Sequence, residues 1–319
     1  MTEFELDFKK KFSTLKTEFQ NIEKEIQEVL KASLIEGTKS SGYWNITRQK
    51  INTLYLDMEN LFIAWSEKNI PWRFRQSIKQ MMYKINGTKI ITNRAKFIFS
   101  ELMKTNNARN ISKILYDDAI LSMIGALENG KAKILQLTRL TQQRLIDESL
   151  ISTTLAGSIE FGNINQAVKR LSNSLEVNLW NQVNAKQFVI AGTRKFSPAY
   201  YSEMVCRTKF HEAQSQATLL TCNNYDTDLV QVSSHNTTTA ICMPFEGKIF
   251  SVSGKDNRFP PLMDEPPFHP NCLHLMYPYF ESALEATGKL QEYSDFSLGK
   301  IARPPGKNSF IPIANRKSA

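Results

Sequence analysis

From Phe4 the apolar residues recur as Phe4, Phe8, Phe12, Leu15, Phe19, Ile22, Ile26 and Val29, a helical spacing held for seven turns. Such a run commits the start of the chain to one long amphipathic helix, because no strand keeps apolar residues three and four apart on one face. The average spacing is near the 3.5-residue repeat of a coiled coil. Lys9, Lys10, Lys11, Glu18, Glu23, Lys24 and Glu25 fall between, so the opposite face is expected in solvent, and the stripe is read as a helix packed in a bundle or as a docking element for a helical partner. Helical signals continue. Gly37, Ser40, Ser41 and Gly42 break the pattern; Ile51, Leu54, Met58, Leu61 and Trp65 restore it up to an expected turn at Asn69, Ile70 and Pro71. Further helices are expected over 72–85 and 93–103, over a segment marked by Ile111, Leu115, Ala119, Ser122 and Ala126, and beyond Gly130 to about Ser149. Another is expected from about Ile164 to Ala185, with Ala167, Leu171, Leu175, Leu179 and Val183 on one face.

The character changes near residue 197. Ser197-Pro198 is a strong helix start, serine as N-cap and proline in the first turn, opening a helix to about Leu220. Short β-type runs follow at Leu229 to Ser233 and Lys248 to Val252, with Gly247 and Gly254 as turn residues. The segment from Phe259 to Asn271 holds Pro260, Pro261, Pro266, Pro267 and Pro270 and reads as loop; a short helix is expected over 279–286. The fold class expected is α+β, predominantly helical, with long N-terminal helices before a small α+β C-terminal module. The boundaries are 1–160 for a helical docking and assembly region, 161–285 for the module, and 286–319 for a basic, mobile tail carrying Lys300, Arg303, Lys307, Arg316 and Lys317.

Of the 319 residues 41% are hydrophobic and 22% charged, and no run of about 18 apolar residues exists, so neither a disordered nor a membrane-spanning chain is expected. The first residues lack the basic and apolar pattern of an export signal. Four cysteines in a long chain read this way point to a reducing compartment. The formal charge is +9, and residues 72–149 hold 14 Lys and Arg against 6 Asp and Glu. Arg73, Arg75, Lys79, Lys84, Lys131 and Lys133 are the candidate contacts to DNA phosphates, the alternative being solvated helical faces.

All four histidines (His211, His235, His269, His274) and all four cysteines (Cys206, Cys222, Cys242, Cys272) lie between 206 and 274. Cys242, His269, Cys272 and His274 offer the imidazole and thiolate donors that Zn²⁺ takes, although Cys242 lacks a second ligand in a Cys-x-x-Cys clasp; the other reading is that these side chains hold an irregular loop. A nucleophilic site on Cys242 or Ser234 with His235 and Glu246 or Asp264 is disfavoured, since adjacent Ser234 and His235 point to opposite faces of a strand. No phosphate loop, nucleophile elbow or His-Glu-x-x-His is present, and the chain is not read as an enzyme. On the helix after Pro198, Glu203, Arg207 and His211 are spaced i,i+4, and Arg207 is read as an inward anchor for the β loops, the alternative being a surface ion pair.

Five blocks in order complete the picture. They are Ala199-Tyr-Tyr-Ser-Glu-Met-Val-Cys-Arg-Thr208, Glu212-Ala213, Asp228-Leu-Val-Gln-Val-Ser-Ser-His235, Glu246-Gly-Lys-Ile-Phe-Ser-Val-Ser-Gly254 and Pro266-Pro-Phe-His-Pro-Asn-Cys-Leu-His274. Over roughly 160–281 the chain resembles the tailed-phage minor capsid proteins of the Mu protein F-like head-morphogenesis group; residues 1 to about 160 are similar only in being helical. The resemblance implies Arg207, His235, Gly247, Lys248, Gly254, His269, Asn271 and Cys272 as the structural motif. It also implies a structural protein of the phage head, present in few copies, associated with the portal and other head proteins. Such a protein acts in head assembly and in DNA packaging or delivery, touches packaged double-stranded DNA without base readout, and passes from host cytoplasm to virion. Where relatives often carry a second Cys or His after the position of Cys242, Phe245 and Glu246 stand here, and Leu273 stands where they often carry Arg. The competing readings are a DNA-binding protein outside the virion and an enzyme of hydrolase or transferase type on the His/Cys cluster.

Overall fold

The computed structural model describes residues 3–36, 42–86, 93–155, 181–280 and 288–300. Four helices open the chain: α1 (Glu3–Glu36), α2 (Tyr43–Asn86), α3 (Asn93–Lys104) and α4 (Asn106–Leu155). A hairpin of β1 (Val189–Ala191) and β2 (Arg194–Phe196) precedes α5 (Pro198–Asn224). Then come β3 (Leu229–Val232), β4 (Ile249–Ser251), β5 (Met276–Tyr279) and α6 (Leu290–Ser297). The class is α+β and predominantly helical, with a small C-terminal sheet module, as the periodicity led one to expect. Among the described residues no helix is long and apolar enough to cross a membrane. Two compact units gather residues 1–65 with 120–203, and residues 66–119 with 204–319.

In the first unit the α1 stripe is buried within this chain, with Phe8, Phe12, Leu15, Phe19 and Ile26 all at most 3% exposed. At about 1.5–3 kcal/mol for each large side chain removed from water, that burial holds the helix in place. Its last member is Leu30, which is fully buried, while Val29 is only half-buried. The stripe therefore keeps nearer the 3.6-residue turn of a straight helix than a heptad seam. This corrects the docking reading: Phe12 meets the Trp65 ring edge-on at 6.0 Å and the Trp65 indole N–H donates to the Lys11 carbonyl at 2.9 Å, so these apolar faces serve the unit's own core. Glu23, expected in solvent, is 3% exposed because its carboxylate accepts the Ala199 N–H at 2.6 Å, one of the orphan donors in the first turn of α5. Burial raises its pKa, against the opposing pull of that N–H and of Lys186.

Two expected breaks are absent. Pro71 lies inside α2, where its ring withholds one N–H, but Ile70, Phe74 and Ile78 around it are fully buried and outweigh a cost of about 3 kcal/mol. Gly130 lies inside α4, which runs on past Ser149; a Cβ there would stand 1.9 Å from the Phe188 carbonyl oxygen. The glycine marks a close backbone approach, not a helix end. That same carbonyl accepts the Tyr55 hydroxyl at 2.7 Å.

In the second unit β3 is the centre of an antiparallel sheet ordered β4-β3-β5, Leu229 facing Ser251 on one side and Tyr279 on the other. Period-2 alternation covers both faces. Val230, Val232, Phe250 and Met276 pack with Cys222 and Leu219 of α5, while Leu229, Ile249 and Phe259 pack with Leu290 and Tyr293 of α6. The two expected strands stand. The hairpin β1-β2, the strand β5 and the helix α6 were not expected, and Tyr279, the first residue of the short helix expected over 279–286, ends β5. Residues 281–286 lie outside the described residues, as do most of the helix expected over 164–185, of which 181–184 is helical, and the tail beyond residue 300.

Candidate functional site

Of the eight His and Cys residues, Cys206, His211 and Cys222 lie on α5 and the other five on two connections of the sheet, 233–248 between β3 and β4, and 252–275 between β4 and β5. Pinning comes from α5. His211 Nδ1 bonds the His274 carbonyl at 3.3 Å, the Gln214 amide and the Thr218 hydroxyl each donate to the Met276 carbonyl at 2.9 Å, and the Ser215 hydroxyl donates to the Pro266 carbonyl at 2.5 Å. Residues 211, 214, 215 and 218 share one helix face. These anchors are neutral polar side chains; Arg207, on the same helix, is half-buried and its charge, with that of Arg73, adds to the burial that holds the His211 pKa down. Burial is the main cause of that depression, to about 3. Glu203 pairs with Lys16 at 2.9 Å.

Within this frame Cys242 and Cys272 are buried, unbonded to each other, their sulfurs 3.9 Å apart. These sulfurs and a ring nitrogen of half-buried His269 lie within 4.8 Å of one another. Three of the four expected metal ligands are therefore in one group. The fourth, His274, is outside the group but has Nδ1 3.4 Å from Cys272 Sγ and Nε2 3.5 Å from Glu246 Oε1. Burial, then the neighbouring His235, lower the His274 pKa, with Glu246 opposing. Burial and the adjacent Cys272 push the Cys242 thiol up to about 12.

The turn His269-Pro270-Asn271-Cys272 closes with the Cys272 N–H on the His269 carbonyl at 3.0 Å, and Asn271 adopts a φ of 63°. Proline second and asparagine at positive φ third is the pattern of a type II turn. This signal, readable in the sequence, sets His269 and Cys272 at the two ends of one tight bend.

Other motif residues act on the backbone. Gly247 has a φ of 71° and its carbonyl accepts the Gln231 amide at 2.9 Å; Gly254 is likewise at positive φ. The Lys248 carbonyl takes the Val232 N–H at 3.0 Å. Glu246 accepts the backbone N–H groups of His235 and Thr237. His235 is exposed, its Nε2 2.8 Å from Ser233 Oγ, two residues back on the same face, so the serine beside the imidazole is Ser233 and not Ser234. Ser233 Oγ also accepts the Leu275 N–H at 2.9 Å. Asp264 is exposed and its Oδ1 accepts the Glu265 N–H at 2.9 Å.

The basic candidates are dispersed. Arg73 is 1% exposed and is thereby removed from any phosphate-binding surface, a correction that follows from its place among Phe74, Ser77 and Ile70 on the buried side of α2. Lys84 sits over the Tyr277 ring at 3.0 Å and Lys79 over Phe99 at 5.3 Å. Lys131 pairs with Glu128. Arg75 and Lys133 are exposed.

No curated protein and no solved structure matches the chain. A family model does, that of phage minor capsid protein 2, over residues 19–295. The match reaches far into the helical half, where the sequence had looked similar only in being helical, and bears out the resemblance to tailed-phage minor capsid proteins. With most of its length matched, from α1 to α6, the chain belongs to the phage minor capsid protein 2 family.

Proposed function

We propose that this structural protein of the phage head is joined to the portal and acts in head assembly and in packaging or delivery of DNA, entering the virion from the host cytoplasm. One observation carries the reading. Ile241 and Met243 flank Cys242 and Leu273 follows Cys272, and these three are 57%, 52% and 46% exposed while the sulfurs beside them are 3.9 Å apart. Large apolar side chains gathered on two tethered loops and left in water mark an interaction surface. A head protein meets other head proteins, and the portal is the partner that the resemblance implies.

Mass spectrometry of gradient-purified particles, full and DNA-free, is the test. The protein is expected in both, at a copy number comparable with the portal's, and absence from both overturns the reading. Met243→Asp with Leu273→Asp is expected to lower incorporation while circular dichroism stays unchanged; incorporation at the wild-type level would sink the docking face.

A second reading, contact with packaged DNA, rests on the formal charge of +9 and on exposed Arg75 and Lys133. The role is read as structural and not enzymatic. What supports that reading is membership of a family of capsid proteins.

A further inference from the structure

The geometry points to a Zn²⁺ site made by Cys242, His269 and Cys272, with His274 as fourth ligand, tying the β3–β4 connection to the β4–β5 connection. It stands apart from the portal reading. In tetrahedral zinc with Zn–S near 2.3 Å, two sulfurs are about 3.8 Å apart and a sulfur and an imidazole nitrogen about 3.6 Å. The Cys242 and Cys272 sulfurs stand at 3.9 Å, far beyond a disulfide's roughly 2.05 Å. Cys272 Sγ to His274 Nδ1 is 3.4 Å. His269 contributes a nitrogen within the 4.8 Å group.

A metal-bound histidine turns its second nitrogen to an acceptor, and each imidazole has one nitrogen beside such an acceptor. His269 Nδ1 is 2.8 Å from the Pro270 carbonyl; it must donate there, which leaves the lone pair on Nε2. His274 Nε2 faces the Glu246 carboxylate at 3.5 Å, leaving Nδ1 toward the sulfur, and Glu246 is itself fixed by the N–H groups of His235 and Thr237. The type II turn holds His269 and Cys272 at one bend. Both cysteines are buried and His269 is half-buried, so the entry path lies on the His269 side. As the metal binds, each thiol releases its proton to solvent and no electron moves. Such a clasp would tie the same two connections that the Phe245 and Phe268 rings already join, stacked at 4.1 Å.

The experiment uses the full chain, purified with a phosphine reductant, stripped by chelation and titrated with Co²⁺, then with Zn²⁺. One equivalent of Co²⁺ is expected, with the near-ultraviolet thiolate-to-cobalt charge-transfer band and the visible bands of a tetrahedral site, all erased by Zn²⁺. Cys242→Ser and Cys272→Ser are each expected to remove the tight site. His274→Ala is expected to do so too, and Glu246→Gln, which faces the second nitrogen of His274 and keeps an oxygen for the His235 and Thr237 N–H groups, to weaken binding by about 10–100-fold with the shape of the spectrum kept. A wild-type titration without a thiolate band overturns the proposal whatever the variants do, so a serine variant that fails to fold does not shelter it. Undiminished affinity in His274→Ala overturns the fourth ligand.

Discussion

Gly130 and Gly125 sit in the same helix and are opposite cases. A Cβ at Gly130 would meet the Phe188 carbonyl oxygen at 1.9 Å, and the obstacle is backbone, while at exposed Gly125 nothing lies within 4 Å. Gly130→Ala is expected to lower stability by about 1–3 kcal/mol, the cost of forcing a methyl into filled space. Gly125→Ala is expected to raise it by about 0.5–1 kcal/mol, since a helix interior prefers alanine. Urea denaturation of the two variants checks the pair. Asp228 supplies a pH dependence. Burial acts to raise its pKa, but the Ser251 hydroxyl at 2.5 Å and the Ser253 N–H at 2.7 Å more than offset this and hold it below the usual 3.8. A depressed carboxylate adds stability that is complete above its unfolded pKa and is lost as pH falls through the folded one. Melting temperature is therefore expected to drop below about pH 3.8, and in Asp228→Asn that share of the drop should be missing.

At the scale of the element, Pro71 separates what periodicity says from what packing does. A proline after Asn69 and Ile70 reads as a turn, yet α2 passes through it because the apolar face is buried on both sides. If so, Pro71→Ala should stabilise the chain by about 1–2 kcal/mol, the helix-propensity gain reduced by a freer unfolded chain. Loss of stability in a thermal melt would instead restore the turn. The same limit hid β5, since Pro278 demotes a four-residue run. A proline is tolerated there because β5 lies at the sheet edge. Helix α5 was legible in its start, where Ser197 Oγ accepts the Tyr200 N–H at 3.3 Å, but its working face was not. His211, Gln214, Ser215 and Thr218 look like any polar helix face until the carbonyls of His274, Met276 and Pro266 are seen against them.

For the molecule as a whole, charge and ligand set were readable early and their arrangement was not. The excess of bases predicts duplex DNA binding that falls linearly with salt on logarithmic axes, by about 0.9 for each phosphate neutralised. Arg75→Ala or Lys133→Ala is expected to reduce that slope by about 1, whereas Arg73, buried, is not a phosphate contact. An isotherm indifferent to salt would remove DNA from the partners. The sequence by itself determined the helical first half, the N-cap of α5, the strands β3 and β4, the capsid family and the set of Cys and His donors. Each is written in local spacing or in residue type. Only the tertiary structure decided that the α1 stripe faces inward, that Glu23 caps a helix 176 residues away, that Gly130 makes room for Phe188, and that Cys242 meets Cys272 across 30 residues. Those are contacts between distant segments, settled by which surfaces bury against one another, and no local period carries that information.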